Sequence, residues 1–178
     1  IADVDGNMIC LTQSLGSAYG SGVMIPGTGV ILNNFLNWTD LNPASPNALQ
    51  PGQRMAMCLA PSISTRDGKG ILALGTPGSY GILQTQVQAM VGHVDFGLDI
   101  QAAIEMPRAR LWDGKQIYLE RRVPHSVCVE LSARGHDVAL LPDYSWRTGG
   151  MQAVSRDPNS GALAGAADSR RDGAVIPA

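Results

Sequence analysis

Apolar positions in this chain fall into short runs separated by glycine, proline and asparagine, and the period of the runs changes along the chain. Residues 1–4 alternate weakly and are followed by Asp5-Gly6-Asn7, a hairpin-type turn signal, so residues 8–15 read as the returning strand. Residues 23–25 and 30–32 flank the turn Pro26-Gly27-Thr28-Gly29 and predict a second hairpin. Residues 35–53 have no period, and Pro43, Pro46 and Pro51 exclude a central strand or a long helix there. Residues 54–59 read as a strand. So do 62–65 and 71–75, joined by the turn Arg66-Asp67-Gly68-Lys69-Gly70. From Ile82 the period becomes helical, with Ile82, Leu83, Val87, Met90, Val91 and Val94 recurring on one side. Asp99 is placed to cap a second helix that Pro107 ends. Residues 116–120 and 138–141 read as strands on either side of a helix over 124–134 that Gly135 closes. Two short strands near 151–155 and 162–167 flank Asp157-Pro158-Asn159-Ser160-Gly161. Two groups of hairpin strands with helices between them in sequence predict an α+β domain, sheet against sheet with helices outside.

Composition narrows the function classes. The 178 residues are the size of one domain, with 44% hydrophobic and 16% charged residues, which fits a buried interior and excludes disorder. A net charge of −2 leaves no basic footprint, so no nucleic acid is expected as a partner. No apolar run approaches the roughly 20 residues that span a bilayer, and no membrane partner is expected. Cys10, Cys58 and Cys128 are far apart and contain no C-x-x-C spacing, which argues against a zinc site or a disulfide framework. As small core hydrophobes they mildly favour a reducing, cytoplasmic compartment over a periplasmic or secreted one, without deciding between them. His93, His125 and His136 have no ligand spacing with Cys, Asp or Glu, so neither metal nor cofactor is expected.

The stretch with the most chemical content is 71–81. An apolar strand runs into Gly75-Thr76-Pro77-Gly78-Ser79-Tyr80-Gly81, and a helix starts directly after it. The first N–H groups of a helix lack intrahelical partners, and the dipole there favours negative charge. Such a loop can cradle an anion or a developing oxyanion, or it can be a plain connection. No Gly-Lys-Ser/Thr follows it, and Gly75, Gly78 and Gly81 do not have dinucleotide spacing. No Gly-x-Ser-x-Gly elbow is present either. The aromatic residues of 35–53 cover either a site or a core edge. The run from Asp168 to Asp172 is either a solvated charge cluster or an ion-pair lock. Taken alone, the residues give an oxyanion loop without a visible nucleophile.

The order of motifs resembles the small subunit of γ-glutamyltranspeptidases. The series is Asp3-x-Asp5-Gly6-Asn7, Gly20-Ser21-Gly22, Gly29 to Asn34, Pro61-Ser62-Ile63, Gly75 to Ser79, Asp95-Phe96-Gly97, Ala103-Ile104-Glu105-x-Pro107-Arg108 and Gly165-Ala166-Ala167-Asp168-x-Arg170. It covers nearly the whole chain. The resemblance implies the αββα four-layer N-terminal nucleophile hydrolase sandwich, completed by a large subunit cut from the same precursor, and it allows a dimer of such heterodimers. The implied domain is residues 1–178 as one small subunit lacking its first residues. The nucleophile would be a threonine a few residues upstream of Ile1, with its own α-amine as base.

Gly78 and Ser79 match the glycine pair whose N–H groups form the oxyanion hole, with serine in place of the second glycine. Ser14 matches the hydroxyl residue that orients the nucleophile, with Thr12 as the alternative if the register slips by two. The implied substrate-binding positions are Gly16, Asn34, Phe35, Trp38, Met57 and Cys58. These depart from the family pattern. Phe35 and Trp38 stand where γ-glutamyl enzymes hold an α-amino group, Met57 and Cys58 replace a Ser-Ser pair that holds the α-carboxylate, and Gly16 replaces an asparagine. A zwitterionic head would lose several hydrogen bonds, each costing on the order of 1–3 kcal/mol. A small-molecule amide with little charge on its acyl group, of the cephalosporin or oxamate kind, fits better than glutathione.

Overall fold

The computed structural model describes residues 1–177. The chain forms two compact units, one of residues 1–12 together with 58 onward, the other of residues 13–57.

In the larger unit, β1 (Ser62–Arg66) and β2 (Lys69–Gly75) pair antiparallel with Ser62 opposite Leu74. Asp67 and Gly68 take φ of 52° and 77°, the pair of positive values that a tight hairpin turn needs to match strand twist. β2 also pairs with β6 (Gln152–Arg156), and β6 with β7 (Leu163–Ala167), giving an antiparallel sheet in the order β1-β2-β6-β7. Leu72 and Leu74, both on one face of β2, point into a core with Ala89, Ile100, Ile104, Met151 and Ala166. That core is covered by α1 (Ile82–Val94) and α2 (Ile100–Glu105). Gly92 allows the two helices to approach closely. A side chain there would stand 2.5 Å from the Met106 sulfur and 3.5 Å from Ala103 Cβ.

The second sheet is β3-β4-β5: β3 (Ala109–Asp113) antiparallel to β4 (Gln116–Glu120), and β4 parallel to β5 (Asp137–Leu141). A parallel pair needs a long crossover, and α3 (His125–Ala133) supplies it. Two sheets with helices make the α+β class that the sequence predicts.

In the smaller unit, a single-turn 3₁₀ segment spans Phe35–Trp38. Isolated bridges join Met24 to Ile31 and Asp40 to Ala48. The Asn47 side chain donates to the Trp38 carbonyl and accepts from the Ala56 N–H, both at 2.8 Å, which organises the proline-rich segment without regular structure.

Three predicted strand regions are not strands. Residues 2–8 form a turn closed by one bridge, Ala2 to Met8, 9–15 are irregular, residues 23–32 form a turn closed by the bridge at Met24, and 54–59 are irregular. Their alternation is real: Met8, Cys10 and Thr12 are half-buried toward Gly70 and Gly75 of β2, while Ile1, Val4, Ile9 and Leu11 on the other side stay exposed. A two-stranded ribbon with one face open is marginal as a ladder. Conversely, β3 is a strand that apolar alternation does not reveal, because its inward position is Arg110.

Candidate active site

β2 ends at Gly75, and Thr76-Pro77 leads into Gly78, whose φ of 142° is open only to glycine. A 3₁₀ turn, Ser79–Gly81, then runs directly into α1. Ser79 has a φ of 56°, in the left-handed region. The Gly81 N–H donates to the Gly78 carbonyl at 3.0 Å, and the Ile82 N–H to the Ser79 carbonyl. Among the described residues, the N–H groups of Gly78 and Ser79 have no acceptor. Two adjacent unpaired donors at the head of a helix can receive negative charge. Ser79 is exposed and Gly78 half-buried, so the pair is reachable. Thr12 lies in this unit, with its Oγ1 3.5 Å from where a side chain on Gly75 would begin. Cys10 Sγ donates to the Leu74 carbonyl at 3.3 Å.

The loop 145–150 stands behind this turn and is held by a buried cluster of charge. The Arg170 guanidinium meets Glu120 through Nε and Nη2 at 2.6 and 2.7 Å, and meets Asp168 at 3.1 Å. Arg108 pairs with Asp168 at 2.7 Å. Arg122 adds a 2.9 Å contact to Glu120. The carboxylate of Glu120 also accepts the N–H of Ser145 and the hydroxyl of Thr148, both at 3.0 Å. The three arginines cap the end of α2: Arg108 and Arg170 donate to the Ile104 carbonyl, Arg122 to Glu105, and Arg170 to Met106. Cations at a helix C-terminus satisfy its orphan carbonyls and its dipole.

Burial by itself would raise the Glu120 carboxyl, but hydrogen bonds and charge from Arg170, with the Arg108 N–H and Thr148, hold it at about 2. Asp168 is likewise below its ordinary value, because the charge of Arg108 and the Met151 N–H outweigh its burial. Burial, together with the like charge of Arg170, pushes Arg108 down to about 10 in spite of Asp168. The Asp168–Arg170 run is therefore an ion-pair lock. Its partners Arg108, Glu120 and Thr148 escape a reading of local spacing. The one signal of them is a carboxylate closing an otherwise apolar strand, Ile117 to Glu120.

Cys58 is buried in the larger unit, and burial raises its thiol above the ordinary value. Among the described residues no three His, Cys, Asp or Glu side chains gather to hold a metal.

The smaller unit brings together most of the other predicted positions. Ser14 Oγ accepts the Gly16 N–H at 3.2 Å. Gly16 has a φ of 91°, and a side chain on it would collide with Asn34 Oδ1 and sit 3.5 Å from the Phe35 ring. Asn34 accepts the Ser17 N–H at 3.0 Å and donates to the Ser17 hydroxyl at 2.7 Å. The rings of Phe35 and Trp38 pack edge to face, 5.8 Å apart at 78°. Met57 is half-buried at the end of this unit.

The family model for gamma-glutamyltranspeptidase matches residues 1–178. The chain is 37% identical over 177 residues to the Acylase ACY 1 proenzyme of Pseudomonas sp. strain SE83, covering 99% of this chain and 31% of that protein. It is 34% identical to the glutathione hydrolase proenzyme of Bacillus subtilis strain 168, covering 99% of this chain and 30% of that protein. It thus spans about a third of the length of these curated relatives. Among solved structures, the gamma-glutamyltranspeptidase of Pseudomonas nitroreducens complexed with L-DON superposes with a TM-score of 0.86 at 32% identity, over 100% of this chain and 97% of that one. The cephalosporin acylase of Bacillus halodurans superposes with a TM-score of 0.81 at 36% identity, over 88% of this chain and 29% of that one.

Proposed function

This chain belongs to the gamma-glutamyltranspeptidase family, and from that premise we propose that it is the small subunit of a self-processed amide hydrolase or acyltransferase whose substrate is not glutathione. The observation that carries the substrate reading is the Phe35–Trp38 ring pair beside Gly16 and Asn34. No side chain of the cluster Ser14, Gly16, Ser17, Asn34, Phe35 and Trp38 is charged. An α-amino and α-carboxylate pair would find no ionic partner there, whereas an uncharged acyl group would find apolar rings. Similarity to an acylase at 37% and to a cephalosporin acylase structure at 36% supports this reading.

In the proposed reaction a threonine preceding Ile1 attacks the amide carbonyl, with its α-amine taking the proton and Ser14 orienting it. The N–H groups of Gly78 and Ser79 receive the oxyanion, the α-amine passes its proton to the departing amine as the C–N bond breaks, and water or a second amine releases the acyl group. A large subunit from the same precursor completes the sandwich and the pocket. The second reading, a true γ-glutamyltransferase or glutathione hydrolase, draws on the 34% identity to the Bacillus subtilis glutathione hydrolase. It needs the large subunit to supply every ionic contact.

The test compares a γ-glutamyl anilide with uncharged acyl anilides, using the full-length processed protein. Faster turnover of the uncharged amides supports the first reading, and γ-glutamyl turnover that matches or exceeds it selects the second. A precursor that stays uncut on a denaturing gel overturns both.

A further inference from the structure

Thr76 is 3% exposed and stands one residue before the peptide that carries the Gly78 N–H. Its Oγ1 donates to the Pro77 carbonyl at 2.8 Å and accepts the Gly150 N–H at 3.1 Å. The Pro77 carbonyl and the Gly78 N–H belong to one planar trans peptide unit. Fixing the direction of the carbonyl therefore fixes the N–H, which points the opposite way. The next peptide unit is fixed in the same manner, since the Gly78 carbonyl accepts from the Gly81 N–H at 3.0 Å and so aims the Ser79 N–H.

The second half of the Thr76 contact comes from the loop 145–150. Glu120 holds that loop through Ser145 and Thr148. Gly149 fills the space behind the turn: a side chain on it would lie 2.6 Å from Thr76 Oγ1 and 3.1 Å from the Pro77 oxygen. A side chain on Gly78 would start 3.6 Å from Gly149 Cα. The hydroxyl of Thr76 thus grips both the loop and its backing.

We propose that Thr76 is a positioning residue that aims the Gly78 N–H at the oxyanion through the Pro77–Gly78 peptide. It touches no reacting atom. The proposal rests on the reading of Gly78 and Ser79 as the oxyanion hole.

The test uses the full-length processed protein, with kcat normalised to the processed fraction, and three side chains at this position. Thr76→Val keeps the shape and removes the hydroxyl, and Thr76→Ser keeps the hydroxyl. The expected result is a fall in kcat of roughly 10- to 100-fold for Thr76→Val, below the loss seen when an oxyanion donor is removed outright, with KM within about two-fold. Affinity for a boronate that forms a tetrahedral adduct should fall in parallel with kcat, while affinity for the carboxylic acid product should hold. Thr76→Ser should recover kcat to within a few-fold of the parent. A Thr76→Val enzyme with parental kcat overturns the proposal, as does a Thr76→Ser enzyme no better than Thr76→Val. Thr76→Ser alone decides if Thr76→Val does not process: a Thr76→Ser enzyme below about a tenth of parental kcat also overturns it. A crystal structure of the parental boronate adduct separates the two layers. A boronate oxygen away from the Gly78 and Ser79 amides removes the oxyanion-hole reading itself, whatever Thr76 does.

Discussion

Ser79 keeps a backbone that favours glycine. At φ 56° its Cβ crowds the neighbouring carbonyl, a strain of about 1 kcal/mol for an L-residue. Ser79→Gly should release that strain, less the entropy that a freer unfolded chain regains. The expected gain is about 0.5 kcal/mol, read as a rise in Tm of roughly 1–2 °C. Since the proposed donor is the backbone N–H, kcat should be unchanged. A drop in Tm would show that the serine side chain contributes more than its backbone costs. Gly149→Ala is the converse case. At φ 102° and with Thr76 Oγ1 only 2.6 Å from the new carbon, it should cost roughly 2 kcal/mol or more in denaturant unfolding. The turn that holds Gly78 and Ser79 was legible because glycine, turn and helix start are adjacent in sequence. The grip of Thr76 was not, because its partner Gly150 is 74 residues away and a lone threonine before a proline carries no spacing signal.

α2 shows how a short element is held at both ends as well as by its buried face, Ile100, Ala103 and Ile104. Its six residues are too few to form a helix in isolation. At its start, Asp99 Oδ1 accepts the Ala102 N–H at 2.8 Å. Its end is held by Arg108, Arg122 and Arg170. Asp99→Ala should cost about 1 kcal/mol and speed hydrogen exchange first at residues 100–105. Equal exchange in parent and variant would mean that the arginines and the buried face hold the helix without the cap. The start of α2 was readable, since a cap is a local feature, and the β1–β2 hairpin was readable from its turn. α1 was readable from its helical period, although Leu83, Val87 and Val94 of the predicted face are exposed and Thr85, Gln86, Ala89 and Gly92 are buried instead. Residues 1–15 and 23–32 have the same kind of signal but leave one side of the ribbon open, with Ile9, Leu11, Val23 and Val30 exposed, and alternation cannot report that. β3 fails in the opposite direction: Arg108 and Arg110 are buried where a pattern of apolar residues would be sought.

At the scale of the molecule, the two sheets of the larger unit meet at Glu120, Asp168, Arg108 and Arg170, which lie at or beside the ends of β4, β7, β3 and β7. A buried ion-pair cluster of this kind adds little over a well-packed apolar core, but breaking it leaves an uncompensated charge. This makes it a switch for acid unfolding. Glu120 is depressed from 4.5 to about 2 in the folded chain. A depressed carboxyl contributes stability that is fully present above the unfolded value and is lost as pH falls through the folded one. Its contribution, on the order of 3 kcal/mol, should therefore hold above about pH 4.5 and disappear toward pH 2. Asp168, also depressed, should add to the same acid limb. Glu120→Gln removes the titrating group and leaves Arg170 short of a partner, at a cost of roughly 3–5 kcal/mol near neutrality. Measured by denaturant unfolding, the gap between parent and Glu120→Gln should be widest above pH 4.5 and should shrink as pH falls. A gap that stays constant down to pH 2 would show that Glu120 acts through shape and hydrogen bonding rather than through its charge. The same titration should loosen the loop 145–150 that backs Gly78, since Ser145 and Thr148 hang on the Glu120 carboxylate. Exchange of the Gly150 amide should accordingly rise over the same pH interval in the parent, relative to amides of β2, and not in Glu120→Gln, which has no carboxylate to titrate there.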